Sequence, residues 1–161
     1  MIFTKSTYNL ILASIFALLL SACATQKAAK IDSQLQGDVY TGTDTVEYLA
    51  DGVPDRVFFA TNKSSLTTAS RATLRKQATY LRKNKNLNVT IEGHADERGT
   101  REYNLALGER RANAARDYLM TYGISGKRIS TISYGKEKPV NPASSPLAWS
   151  QNRRSVTVKV N

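Results

Sequence analysis

The chain is short of the residues that most enzyme chemistry needs: its 161 residues include one cysteine and one histidine. A single cysteine can neither close an intramolecular disulfide nor build a Cys-rich zinc cluster, and one histidine leaves little for a His-based metal site or a Cys/His dyad. No metal and no cofactor is therefore expected, and no enzyme built on either. Long apolar runs are lacking too. The longest, Leu10 to Leu20, covers 11 residues, about half of the ~20 that a helix needs to cross a bilayer, so no mature transmembrane span is expected. Acidic side chains are outnumbered, 13 against 23 basic ones, for a net charge of +10. The length leaves room for one domain.

What is present begins with an address. Lys5 supplies a positive n-region, Leu10 to Leu20 an apolar h-region, and Ser21-Ala22 the small residues of a cleavage site, so residues 1–22 read as an export signal. The sole cysteine follows at once, in the string Leu20-Ser21-Ala22-Cys23. That string resembles the lipobox of bacterial lipoproteins, which implies a covalent lipid on Cys23; the alternative is an inert, buried thiol. Several acyl chains hold stably where one holds only marginally. Ala24 in place of an aspartate resembles the sorting pattern of lipoproteins anchored in the outer membrane and facing the periplasm.

Residues 23–54 then form a polar stretch with few large apolar side chains, which bury too little surface to offset their ordering entropy. The sequence predicts a largely disordered tether, able to reach ~100 Å if pulled straight. It is also acidic: residues 31–55 hold Asp32, Asp38, Asp44, Glu47, Asp51 and Asp55 and no basic residue. Beyond it, removing Lys5, Lys27 and Lys30 from the basic total leaves 20 basic against 7 acidic residues, a balance of +13. Such a surface favours acidic partners in general, or is simply a solvated face.

Residues 55–161 alternate strand and helix. Arg56–Ala60 is a short apolar run and reads as a strand; Ser65 or Thr67 caps a helix to residue 83, with Leu66, Leu74, Ala78 and Leu81 at helical spacing. Leu87–Gly93 alternates as a half-buried strand and leads into the polar HADERGT turn. A second helix runs from Arg101 to Tyr122, with Tyr103, Leu107, Ala115, Tyr118 and Tyr122 as its stripe and Gly123 as the C′ residue. Arg128–Tyr134, a proline-bearing loop, a short helix near Ala148–Asn152 and a final strand complete a β-α-β-α-β-β order. The fold class is α/β, with helices on one face of a mixed four-stranded sheet.

Arg111 is the residue out of pattern, four beyond Leu107 and four before Ala115, hence on the side of the helix that faces the sheet. A buried guanidinium requires a partner, and Asp96, at the end of the second strand, is the nearest candidate in sequence. Two arrangements are open. Either the two form an internal salt bridge, or they flank a cleft and grip a zwitterion, Asp96 taking an ammonium and Arg111 a carboxylate.

The segment IEGHADERGTREYNLALGERRANAARDYL, with ISYGKEKP and QNRRSVTV after it, resembles the OmpA-like peptidoglycan-binding domain over residues 56–160. Asn104, Leu107, Arg111 and Ala112 meet one family pattern, Gly93 and Asp96 another. The resemblance implies that Asp96 and Arg111 bind the ammonium and carboxylate of diaminopimelate in the cell-wall stem peptide. It further implies contacts from His94, Ala95, Arg98, Asn104 and Leu107. With the lipobox and acidic tether it implies the Tol-Pal envelope system, with peptidoglycan, TolB and other Tol proteins as partners and no nucleic acid. One departure stands out. Where the family reads Phe-Asp-x-Asp-Lys, this chain has Phe59-Ala60-Thr61-Asn62-Lys63. Asn62 can accept a hydrogen bond, but charge-assisted bonds are worth ~1.5–3 kcal/mol against ~1 for neutral ones, so weaker ligand binding is expected. Competing readings use His94, Asp96 and Glu97 as hydrolytic acid and base, or the +13 surface for nucleic acid and other polyanions.

Overall fold

The structure, a computed structural model, describes residues 35–160. The export signal, Cys23 and the first part of the tether lie outside the described residues. Among these, strands β1 (Leu35–Gln36) with β2 (Val39–Tyr40), and β3 (Tyr48–Ala50) with β4 (Val53–Pro54), form two small antiparallel hairpins. The main sheet follows, from β5 (Arg56–Phe58), β6 (Asn88–His94), β7 (Ile129–Gly135) and β8 (Arg154–Val160). Its order is β5-β8-β6-β7, with β8 antiparallel to both neighbours and β6 parallel to β7. This is the mixed four-stranded sheet expected, because the β6-to-β7 connection passes through a helix, whereas β8 enters between two strands already placed.

Helix α1 (Thr68–Lys83) starts at Thr67, whose hydroxyl accepts from the Ser70 amide. Helix α2 (Arg101–Thr121) is capped by Thr100, and Gly123 behind it adopts φ +82°, where a side chain would be strained. A short helix α3 (Pro146–Asn152) carries proline in its first turn. Helices α1 and α2 cover one sheet face. There Val57, Phe59, Val89, Ile91 and Ile129 meet Leu74, Ala78, Leu81, Ala112, Ala115 and Leu119 in one apolar core. The α2 stripe differs from expectation at Tyr103, which is 44% exposed.

From Leu35 onward the tether expectation is corrected. Gly37 and Gly52 sit at φ +68° and +69°, the conformation that tight hairpin turns require. Two side chains then anchor the segment. Tyr40 packs edge-on against Phe58, ring centroids 4.8 Å apart, and Leu49 is buried with it. The Asp55 amide donates to the Glu47 carbonyl, and Gln77 of α1 donates to that of Pro54. A segment with only two buried apolar anchors resembles a linker in composition, yet it covers the β5 end of the sheet face that α1 and α2 leave bare, while Ile132, Val158 and Val160 on that face stay exposed.

Candidate functional site

Asp96 lies two residues beyond β6 and is 7% exposed. It does not pair with Arg111, so the internal salt bridge between them is excluded. Its Oδ1 accepts from the Arg98 amide (3.1 Å) and Nε (3.0 Å), its Oδ2 from Arg98 Nη2 (2.7 Å) and Arg153 Nη1 (3.3 Å). Burial pushes the carboxyl pKa up, but the Arg98 and Arg153 donors outweigh it and hold it below the usual range. The Arg98 guanidinium lies 4.3 Å from the Trp149 ring centroid, its side chain 42% exposed. It can leave Asp96 without opening the core. The turn beneath is braced: Asn104 donates to the Arg98 carbonyl at 2.8 Å, Lys136 Nζ to those of Glu97 and Gly99, and Trp149 Nε1 to the Glu97 carboxylate.

Arg111 differs from the expectation of a guanidinium facing an open groove. It is fully buried, with Nε donating to the Lys63 carbonyl (2.9 Å), Nη1 to that of His94 (2.8 Å) and Nη2 to that of Ala60 (3.1 Å). Burial above all, and the charge of Arg153 next, lower its pKa to about 10, so it stays charged at neutral pH. Three carbonyls take the place of a carboxylate partner. Arg111 thereby ties the 60–63 loop to the end of β6. In that loop Asn62 is exposed at φ 55°, a left-handed conformation that asparagine tolerates better than most residues.

His94 is 1% exposed, and only its carbonyl faces Arg111. Its ring turns the other way, into a cavity of about 580 Å³ shared with Glu92, Arg56, Arg154 and Lys138 on the sheet face away from α1 and α2. Glu92 Oε2 lies 3.4 Å from its Nε2. His94, Asp96 and Glu97 therefore do not converge as a hydrolytic set would. Burial first, then the charges of Arg154, Lys138 and Arg56, depress the His94 pKa from 6.5 to about 3. Between those limits the unfolded chain binds a proton that the folded chain refuses. Stability is thus complete above pH ~6.5 and falls towards pH 3, by about 1.4 kcal/mol per pH unit in mid-window. Chemical denaturation across pH 7 to 4 should show this slope, and His94→Gln should flatten it; an equal slope in both proteins would assign the loss to carboxylates.

Of the remaining expected residues, Ala95 is buried and donates its amide to the Gly135 carbonyl, and Leu107 is a buried residue of α2. Asp96, Arg98, Asn104 and Arg111 thus gather at the C-terminal end of β6, while the His94 ring does not join them. Sequence reasoning missed Arg153 and Asp38. Arg153 is 3% exposed and reaches Phe59 O (3.1 Å), Asp96 Oδ2 and the carbonyl of Asp38. Arg153 is the C-cap residue of α3, immediately before β8, and its only signal in the sequence was an arginine at a helix end next to a strand.

The profile of the OmpA family matches residues 58–153. The peptidoglycan-associated lipoprotein of Rhizobium meliloti is 50% identical over 150 residues, covering 91% of this chain and 85% of that protein. That of Mesorhizobium japonicum is 44% identical over 94% and 92%. Among solved structures, the peptidoglycan-associated lipoprotein from Burkholderia pseudomallei superposes with TM-score 0.64 at 39% identity, over 66% of this chain and 90% of that one. The C-terminal domain of Helicobacter pylori MotB, at 20% identity and TM-score 0.62 over 66% and 84%, shares the fold. By fold, profile and identity along most of its length, the chain belongs to the OmpA family and, within it, to the peptidoglycan-associated lipoproteins.

Proposed function

We propose that the chain binds peptidoglycan non-covalently through diaminopimelate of the stem peptide. Anchored by lipid at Cys23 in the outer membrane, it links that membrane to the wall as part of the Tol-Pal system, with TolB and other Tol proteins as partners. The observation that carries this reading is Asp96, a nearly buried carboxylate whose main counter-ion, Arg98, is half exposed and free to exchange. A ligand ammonium takes the place of Arg98, donor for donor, so no carboxylate is left buried and unpaired, an outcome that would be strongly unfavourable. Arg111 works from behind, by holding the 60–63 loop and the β6 end in register. Asn104 and Leu107 shape the floor.

A small zwitterion held by a few charged contacts reaches a dissociation constant of roughly μM to mM once the freedom lost on association is counted. Weakness suits a tethered protein facing a polymeric lattice, where effective concentration replaces affinity. In a pull-down on purified sacculi, Asp96→Asn keeps the shape and removes the charge, and should lower retention about tenfold or more. Undiminished retention would remove Asp96 from the site, and the proposal with it. Peptides carrying lysine instead of diaminopimelate lack the second ionised end and should compete poorly.

A further inference from the structure

The end of the domain away from Asp96 is strongly basic. There β6 begins and β8 finishes, so Asn88 pairs with Val160, and Val89 with Ile129 of β7. Arg128 closes this end: its guanidinium donates to the carbonyls of Leu81, Asn84 and Leu87, joining the C-terminus of α1 to the start of β7. Lys159 Nζ lies 5.7 Å from the Tyr80 ring centroid, and Met120 and Arg116 of α2 lie against Gly126. The three stretches that meet here hold three bases in 82–88, three in 116–128 and Lys159 in 158–160, against Asp117 alone. None of these bases forms an ion pair among the described residues, although Asp51 lines a groove with Lys83. At the site end, by contrast, Arg98, Arg101 and Arg153 each have a carboxylate partner. Apolar side chains stand exposed beside the unpaired bases: Met120 at 41%, Val158 at 39% and Val160 at 47%.

We infer that this basic pole docks on an anionic phospholipid surface, so that the domain stands on the membrane with Asp96 directed away from it. The inference rests on the reading of Cys23 as a lipid anchor, and not on the ligand assigned to Asp96. Each basic side chain close to an anionic leaflet strengthens attachment about fivefold, and here no carboxylate of the domain competes for those charges. The exposed Met120 and Val160 favour a lipid surface over a soluble polyanion, because a bilayer interface takes up apolar side chains as well as balancing charge. The wall fits this pole less well, since the site proposed for it lies at the other end of β6, whose seven residues span about 23 Å. The anchor permits the arrangement. Leu35 enters on the hairpin whose tip meets Thr61 and Arg153 at the site end, and the 12 residue steps from Cys23 to Leu35 extend up to about 40 Å.

The test is lysine labelling of the full chain in the presence of two sets of vesicles, phosphatidylcholine alone and an equal mixture of phosphatidylcholine and phosphatidylglycerol. An amine-reactive reagent marks exposed lysines, and mass spectrometry reads each one. Lys83, Lys85, Lys127 and Lys159 should label about fivefold more slowly on the anionic vesicles, while Lys136 and Lys138 at the site end stay unchanged. Raising the salt from about 0.1 M to about 0.5 M should remove the difference, because screening shortens the reach of each charge. A chain carrying Lys83→Gln, Lys85→Gln and Lys127→Gln, all on the surface, should lose the protection at Lys159. Equal labelling of the four lysines on both vesicle sets overturns the inference, as does equal protection by purified sacculi, which would make the pole a general polyanion surface. The anchor is read separately, by flotation with pure phosphatidylcholine vesicles. A chain that fails to float lacks the lipid, and labelling on the anionic set still decides the pole.

Discussion

Arg111→Leu should destabilise the domain by about 3–5 kcal/mol, the usual cost of removing one side of a buried ionic or hydrogen-bonded arrangement. The substitution strands three main-chain carbonyls, of Ala60, Lys63 and His94, in a place where no water reaches the fully buried side chain they served. Each unpaired buried acceptor costs about 1–3 kcal/mol, so packing gained from leucine does not offset the loss. A lowered urea midpoint with an unchanged slope would be the signature. Sacculus binding should fall too, because the 60–63 loop that carries Thr61 loses its tie to β6. The opposite outcome is informative. Full stability with binding abolished would make Arg111 a direct ligand contact in a conformation different from this one.

Gly93→Ala should be of similar severity. A Cβ built at Gly93 would lie 1.8 Å from the Gly108 carbonyl oxygen and 2.5 Å from its carbon, and one at Gly108 would meet Ser133 Oγ at 2.3 Å. These partners at Gly93 are backbone, so no rotamer change relieves the clash and α2 must move away from β6. Overpacking of this kind costs about 3 kcal/mol or more. The separation also displaces Arg111 and Asn104 on α2 from Asp96 beyond β6, coupling stability to binding. Thermal unfolding of the variant checks the first effect, and peptide titration of whatever remains folded checks the second. A variant with parental melting temperature would mean that α2 and β6 are not in close contact in solution.

Much of this arrangement was legible in the residues. The alternation of Val89 and Ile91, the helical spacing of Leu74, Ala78 and Leu81, and the caps at Thr67 and Gly123 locate the elements within a residue or two, since each signal is local. The placement of Arg111 on the buried side of α2 followed from spacing alone. Its partners did not: carbonyl oxygens leave no trace in a sequence, and a guanidinium in search of a counter-ion points reasoning to the nearest carboxylate. The hairpins of residues 35–54 were read as tether because two buried anchors, Tyr40 and Leu49, scarcely raise the apolar content of the segment.

By itself the sequence determined the α/β order of elements and the presence of a carboxylate and an arginine near one strand end, because periodicity, capping and composition are properties of neighbours along the chain. Only the tertiary structure decided which charges meet. Arg98 and Arg153 claim Asp96, backbone carbonyls claim Arg111, and Asp38 crosses 115 residues of sequence to reach Arg153. The cause is physical: a buried charge is neutralised by whichever polar atom the fold brings within about 3 Å, and that distance is set by sheet order and helix packing, not by separation along the chain.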